Sequence, residues 1–175
     1  ALAAAATMSD TFAVTSSDGT SQTITITITG VNDAATIAGD TTGGATEDTS
    51  DAAGTATVTD TDTGQSTFTA VSTETASVSG YGTYTITSGG VWAYTLTDSN
   101  SAVQALALAA TMTDTFAVTS SDGTSQTITI TITGANDAAT FCADITGRAT
   151  EDTSDASGTA TWADTDTHKA TPTPR

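Results

Sequence analysis

Residues Asp10 to Gly30 recur without a single change as Asp114 to Gly134. The correspondence runs further: Met8 matches Met112 and Asn32-Asp33 matches Asn136-Asp137, which sets a period of about 104 residues. A repeat this long constrains architecture before any local pattern does, because each unit must close its own core or stack on a neighbour. On this reading residues 1–31 are the C-terminal part of one unit and residues 32–135 are one complete unit. Residues 136–175 are the partial, degenerate N-terminal part of a third. The Ala-rich start, Ala1 to Thr7, matches Ala105 to Thr111, so it reads as repeat sequence rather than as a piece of a signal peptide. Any targeting signal is expected outside this stretch.

Inside the duplicated stretch, Thr23 to Thr29 alternates strictly between Thr and Ile. That is the period of a half-buried strand, and both residue types are β-branched and suit a pleated surface. The alternation decides against disorder, which composition alone would favour: 20 acidic residues face only 3 basic ones, and aromatics are 5%. Seven strands are predicted in the complete unit. Strand A spans Ala35 to Thr46 with a break at Gly43-Gly44, B spans Gly54 to Thr59, and C spans Gln65 to Val71 with Phe68 and Ala70 inward. D and E span Gly82 to Thr87 and Val91 to Thr97, and a helical crossover at Ala102 to Ala110 carries Val103 and Leu106 over the core. F and G span Asp114 to Thr119 and Ser125 to Thr133, turning at Asp122-Gly123. Short strands with turn signals every ~8–12 residues indicate an all-β, immunoglobulin/cadherin-like seven-stranded β-sandwich in tandem repetition. In the third copy Phe68 and Ala70 become Pro172 and Pro174, so strand C is expected to be lost there.

The net charge of −17 excludes further classes. The basic residues are Arg148, Lys169 and Arg175, so residues 1–147 hold no side chain that could neutralise a phosphate, and nucleic-acid binding is not expected. No apolar run approaches the ~20 residues of a membrane span, so membrane insertion is not expected either. Cys142 is the only cysteine, which rules out a disulfide framework.

Strand bookkeeping sorts the carboxylates to the two ends of the sandwich. With strand A running from top to bottom, Asn32, Asp33, Asp60, Asp62 and Asp122 share the top. Glu47, Asp48, Asp51, Glu74, Asp98 and the outgoing Asn136-Asp137 share the bottom, where Asp164 and Asp166 of the next unit face them. Two unit charges about 5 Å apart repel by about 3 kcal/mol at an effective dielectric near 20. With no Lys or Arg nearby, a bound cation is the natural compensator, and oxygen-only ligands select a hard ion, with Ca²⁺ better suited to irregular loops than Mg²⁺. The alternative is that these are solvated loop carboxylates that serve solubility or life in high salt.

The order Asn32-Asp33-Ala34, Gly43 to Asp48, Gly54 to Asp62, Val91 to Leu96 and Thr113 to Gly134 resembles the VCBS repeat of giant RTX-type bacterial surface adhesins, over essentially the whole chain. The resemblance implies cadherin-like sandwiches strung in tandem at the bacterial cell surface, exported by type I secretion and stiffened by Ca²⁺ between domains. It also implies neighbouring repeats as partners, with host or surface glycans bound only through domains outside this stretch. Carried over by position, the junction uses Glu47 or Asp48, Asp98, Asn136-Asp137 and the pair Asp164/Asp166. Arg148 in place of Gly44 and the broken third strand C depart from the pattern and put the strength of this junction in doubt. The glycine-rich nonapeptide of the Ca²⁺-binding β-roll is absent, so the export end is expected elsewhere.

An enzyme is not expected. The one histidine, His168, has Gly64 as its counterpart, Cys142 replaces Ala38, and neither has a nucleophile–base context. A carbohydrate-binding module is the alternative function, with Trp92 and Tyr94 as stacking residues if they are exposed. Their spacing with Leu96 on one strand face instead indicates a core position.

Overall fold

The computed structural model of the chain describes residues 1–142, 149–152 and 161–167. The Thr/Ile alternation folds as strands throughout. β1 (Thr7–Thr15) and β2 (Ser21–Thr29) form a hairpin. The unit of residues 32–134 follows as β3 (Thr36–Gly39), β4 (Thr42–Thr46), β5 (Ala52–Thr59), β6 (Val71–Ala76), β7 (Gly82–Ile86), β8 (Val91–Leu96), the one-turn helix α1 (Ser101–Gln104), β9 (Thr111–Thr119) and β10 (Ser125–Thr133). β11 (Thr140–Cys142) and β12 (Thr161–Ala163) pair beyond it. One sheet of the unit has the order β3-β5-β8-β7-β6 and the other β4-β10-β9. All pairings are antiparallel except that of β4 with β10. The two sheets form a β-sandwich.

The core lies between the two sheets. Phe116, Val118, Ile128, Ile130 and Ile132 face Ile86, Trp92, Tyr94 and Leu96, while Val103 of α1 closes one end. Phe116 sits at its centre, stacked on Tyr84 at 4.3 Å between ring centroids and edge-on to Trp92 at 5.8 Å. The indole of Trp92 occupies a slot that glycines leave open. A Cβ on Gly43 would lie 2.7 Å from the ring, and one on Gly54 closer still. Its Nε1–H donates to Asp40 O at 2.8 Å, which satisfies the one polar atom the ring brings into the core. Trp92 and Tyr94 are both 0% exposed, so they cannot stack on a sugar, and the carbohydrate-binding alternative loses the residues it rested on.

Four local expectations are corrected. Strand A breaks at Gly39 (φ 86°) and Asp40, not at Gly43-Gly44. There the chain leaves β5 and crosses to β10, while Gly43 stays inside β4 to clear Trp92. Strand C does not span Gln65 to Val71. Thr67 and Thr69 hydrogen-bond the end of β9 at Ser121 and Thr119, Phe68 is buried there, Ala70 is exposed, and pairing with β7 begins only at Val71. This segment bridges the edges of both sheets, so its backbone bonds divide between them and no single ladder forms. The crossover helix ends at Gln104, because residues 105–110 turn back onto Gly134, with Ala109 at φ 63°. Glu74 lies in β6, exposed, and not in a loop at the bottom. Arg148, His168, Lys169, Pro172, Pro174, Arg175 and the side chain of Cys142 lie outside the described residues, as does the expected loss of strand C in the third copy.

Candidate metal centre at the domain junction

The carboxylates gather around two linkers. At the first, before β3, the Asp33 amide donates to Asp62 Oδ2 at 2.9 Å and the Asp62 amide to Asp60 Oδ1 at 2.7 Å. The Asp-Thr-Asp spacing folds as an Asx-type turn of this kind because a short carboxylate reaches the amide two residues on. Asn32 is exposed and its side-chain amide donates to Asp33 O at 3.1 Å. Asp62 is 2% exposed, and its Oδ1, like Asp60 Oδ2, is buried without a hydrogen-bond partner. A buried carboxylate oxygen left unpaired is costly, and an added cation at that point would remove the cost.

The second linker, after β10, has carboxylates on both sides. Glu47 directly follows β4 and is 0% exposed. Its Oε2 accepts the amide of Ala135 in the outgoing linker at 3.0 Å, and its Oε1 accepts Gln104 Nε2 at 3.2 Å. Gln104 also reaches Asp48 Oδ1 at 3.4 Å. Asp48 adopts φ 57°, a left-handed conformation that Asp tolerates, which turns its amide toward Asp98 Oδ1 at 3.2 Å. From the far side, the Asp137 amide donates to Asp166 Oδ2 at 3.1 Å and the Asp166 amide to Asp164 Oδ1 at 3.0 Å. Asn136 donates to Asp137 O at 2.9 Å.

Burial pushes the Glu47 carboxyl above its ordinary value. The Ala135 amide opposes that shift, and the charges of Asp137, Asp48 and Asp166 add to it. Glu47 therefore feels the charges of Asp48, Asp137 and Asp166 from both sides of the linker. Asp98 joins them through the Asp48 amide, and an open cleft of about 210 Å³ lined by Asp48, Thr49, Ser50, Asp51 and Asp98 lies beside them. Among the described residues no three or more Asp, Glu, His or Cys side chains close into a ready metal cage. The donor set is nevertheless all oxygen, which fits a hard divalent cation and no softer one.

Other carboxylates at the ends have structural work. Asp122 Oδ2 accepts the Ala35 amide at 2.8 Å, and its partners in the β9–β10 turn are Ser120 and Thr124. Hydrogen bonds from the Ser120 hydroxyl, the Ala35 amide and the Thr124 amide hold its carboxyl well below the usual range. Asp51 Oδ1 accepts the Leu96 amide at 2.8 Å. Sequence reasoning missed Gln104 at the junction. The signal for it was the Asn100 cap, whose side chain accepts the Ala102 amide at 2.9 Å and starts the turn that aims Gln104 at Glu47.

The two junctions share backbone geometry. The Thr63 amide donates to Ala1 O at 3.4 Å and the Thr167 amide to Ala105 O at 3.1 Å. Ala5 and Ala109 donate to Gly30 O and Gly134 O at 3.2 and 3.1 Å. No curated protein matches the chain in sequence. Residues 32–134, the span from the first Asn-Asp pair to the end of the sandwich, match the bacterial cadherin-like domain, more than half of the chain. The chain thus belongs to the bacterial cadherin-like domain family, a non-catalytic family that occurs in surface and secreted proteins.

Proposed function

We propose that this chain is an extender segment of the stalk of a secreted bacterial cell-surface adhesin, in which Ca²⁺ at the domain junctions stiffens a tandem array. Residues 1–31 are the closing strands of one sandwich, residues 32–135 a whole one, and residues 136–175 the opening of a third. The observation that carries the reading is Glu47: a fully buried carboxylate, tied to the linker amide of Ala135, that carries the charge of Asp48 from its own domain and of Asp137 and Asp166 from the far side. With no Lys or Arg in residues 1–147, a divalent cation is the compensator the composition leaves. Glu47, Asp48, Asp98, Asn136, Asp137, Asp164 and Asp166 would hold it at the second junction, and Asn32, Asp33, Asp60 and Asp62 would supply half of such a set at the first. Bound there, the cation supplies charge neutralisation and fixes the linker relative to both domains.

The test is a melt and a scattering profile of this chain with and without Ca²⁺. A ligand at ~100 times its Kd stabilises the state it binds by about 2.7 kcal/mol. The expected result is a higher Tm and a longer maximum dimension in Ca²⁺ than in EDTA. If EDTA changes neither, the junction-cation mechanism fails.

A further inference from the structure

The β1–β2 hairpin shows solvent a face that its duplicate buries. Phe12, Val14, Ile24, Ile26 and Ile28 are 40–50% exposed, whereas the same residues in β9–β10 are 0–1% exposed. The register is also the same: Phe12 pairs with Ile24 as Phe116 pairs with Ile128. What covers the duplicate therefore states what fits this face. The cover is the half-sandwich β3–β8, and it recognises the hairpin through more than apolar contact. Asp114, 1% exposed in the middle of the apolar face, accepts from the Ser77 hydroxyl, the Ser79 amide at 3.0 Å, the Tyr81 amide at 3.2 Å and the Tyr94 hydroxyl at 2.9 Å. Its counterpart, Asp10, is exposed and bonds the amide of Thr11 at 2.8 Å, as Asp114 bonds that of Thr115 at 2.7 Å.

We infer that the apolar face of β1–β2 is a docking surface for a half-sandwich built like β3–β8, and that Asp10 is the residue that selects it. Two such hairpins packed face to face would bury the Asp10 carboxylates without donors, which costs more than the contact returns. A half-sandwich that presents the equivalents of Ser77, Ser79, Tyr81 and Tyr94 accepts the carboxylate and the apolar residues together. The inference rests on the domain division proposed above and is independent of the junction cation.

Within one chain the hairpin cannot reach its own β3–β8. In that position β10 ends beside Glu47, whose amide donates to Thr133 O at 3.0 Å, at the opposite end of the sandwich from Thr36. The ten steps from Thr36 to Thr46, which pass from one sheet to the other, span up to about 33 Å, while the seven steps from Thr29 to Thr36 span at most about 25 Å. Docking on this chain's β3–β8 is therefore a reaction between copies, and in the native chain β9–β10 already holds the site.

The test frees that site in the full chain. In a Trp162→Phe background, so that Trp92 alone reports, Ile128→Asp and Ile130→Asp disable β9–β10 and leave β1–β2 intact. Two buried, unpaired carboxylates outweigh the ~mM effective concentration of the tethered hairpin. In EDTA at roughly 10–100 μM, the expected result is concentration-dependent oligomers by light scattering, in which Trp92 regains its buried near-UV signal and a cooperative melt. Adding Asp10→Leu should lower the yield of oligomer at least tenfold, although it makes the face more apolar. If Asp10→Leu leaves oligomer formation unchanged or strengthens it, the contact is unspecific apolar association and the inference is overturned while the domain division stands. If the chain with an intact β1–β2 stays monomeric with Trp92 exposed, like one that also carries Ile24→Asp and Ile26→Asp, both the inference and the reading of residues 1–31 as closing strands are overturned.

Discussion

Replacing Asp114 with Ala removes the acceptor on which β6–β7, β8 and β9 converge. The Ser77 hydroxyl keeps a partner, since its one proton can turn to Gly82 O at 2.8 Å. The Ser79 amide, the Tyr81 amide and the Tyr94 hydroxyl lose theirs, as does the Thr115 amide, whose local bond is matched by that of Thr11 to Asp10. Each orphaned buried donor costs ~1–3 kcal/mol, and the Ser79 and Tyr81 amides lie near enough to the surface to recruit water, so the sum falls near about 4 kcal/mol. A domain of this size has a total of about 5–15 kcal/mol, so Asp114→Ala leaves it marginal and lowers Tm by about 15–30 °C. Asp114→Asn keeps the volume and one acceptor oxygen but loses the charge assistance, and should cost about half as much. Adding Tyr94→Phe to Asp114→Ala deletes one orphan, so the pair should cost less than the sum of the singles. The internal control is Asp10→Ala. The flanking sequence is the same, but Asp10 is exposed, and the expected change is within about 0.5 kcal/mol. In the Trp162→Phe background, chemical denaturation followed by Trp92 fluorescence reads all of these variants. A cost below about 1 kcal/mol for Asp114→Ala, or an equal cost for Asp10→Ala, would refute the argument that the converging donors give the carboxylate its value.

Three further outcomes follow from the same contacts. Burial raises the Asp114 carboxyl, but bonds from Ser77, Ser79, Thr115 and Tyr94 outweigh it and hold it below its ordinary 3.8; its stabilisation is therefore complete above that pH and lost as pH falls below it, and the acid limb of a Tm-versus-pH curve should flatten in Asp114→Asn but not in Asp10→Asn. Gly54→Ala places a Cβ 2.7 Å from Trp92 Cε2 and should cost ~1–3 kcal/mol, while Gly44→Ala meets nothing nearer than 3.9 Å and should melt like the native chain. Glu47 is raised by burial and by Asp137, Asp48 and Asp166, so its charge opposes folding above its ordinary 4.5; Glu47→Gln should hold or raise Tm in EDTA at pH 7 yet lose the gain in Ca²⁺, and a variant that melts lower in EDTA but keeps the Ca²⁺ response would contradict the proposed role.

The strands that alternate cleanly were legible in the sequence. Gly82 to Thr87, Val91 to Thr97 and Ser125 to Thr133 lie within a residue of β7, β8 and β10. Segments that change sheets were not, because periodicity reports one face against one core. Gln65 to Ala70 and Gly39 to Thr41 take their backbone bonds from two sheets, and no window of sequence contains both. The same distinction holds at the junction. Asp-Thr-Asp and Asn-Asp signal local turns, so Asp60, Asp62, Asp164 and Asp166 could be placed from spacing. That Glu47 is buried beneath Gln104 and tied to Ala135 depends on residues 57 and 88 positions away.

The duplicated hairpin separates the two kinds of information within one chain. Residues 10–30 and 114–134 are identical, and both fold with the same register about a turn glycine at positive φ, Gly19 at 88° and Gly123 at 95°. Alternation, β-branching and the Asp-Gly turn act over a few residues, so the sequence alone determined strand, register and which side chains share a face. It did not determine whether that face is dry. Ile26 is 46% exposed and Ile130 is 0%, and Asp10 lies open where Asp114 is enclosed by four donors. Burial requires an opposing sheet, and only the tertiary structure brings β3–β8 over one copy of the hairpin and not over the other.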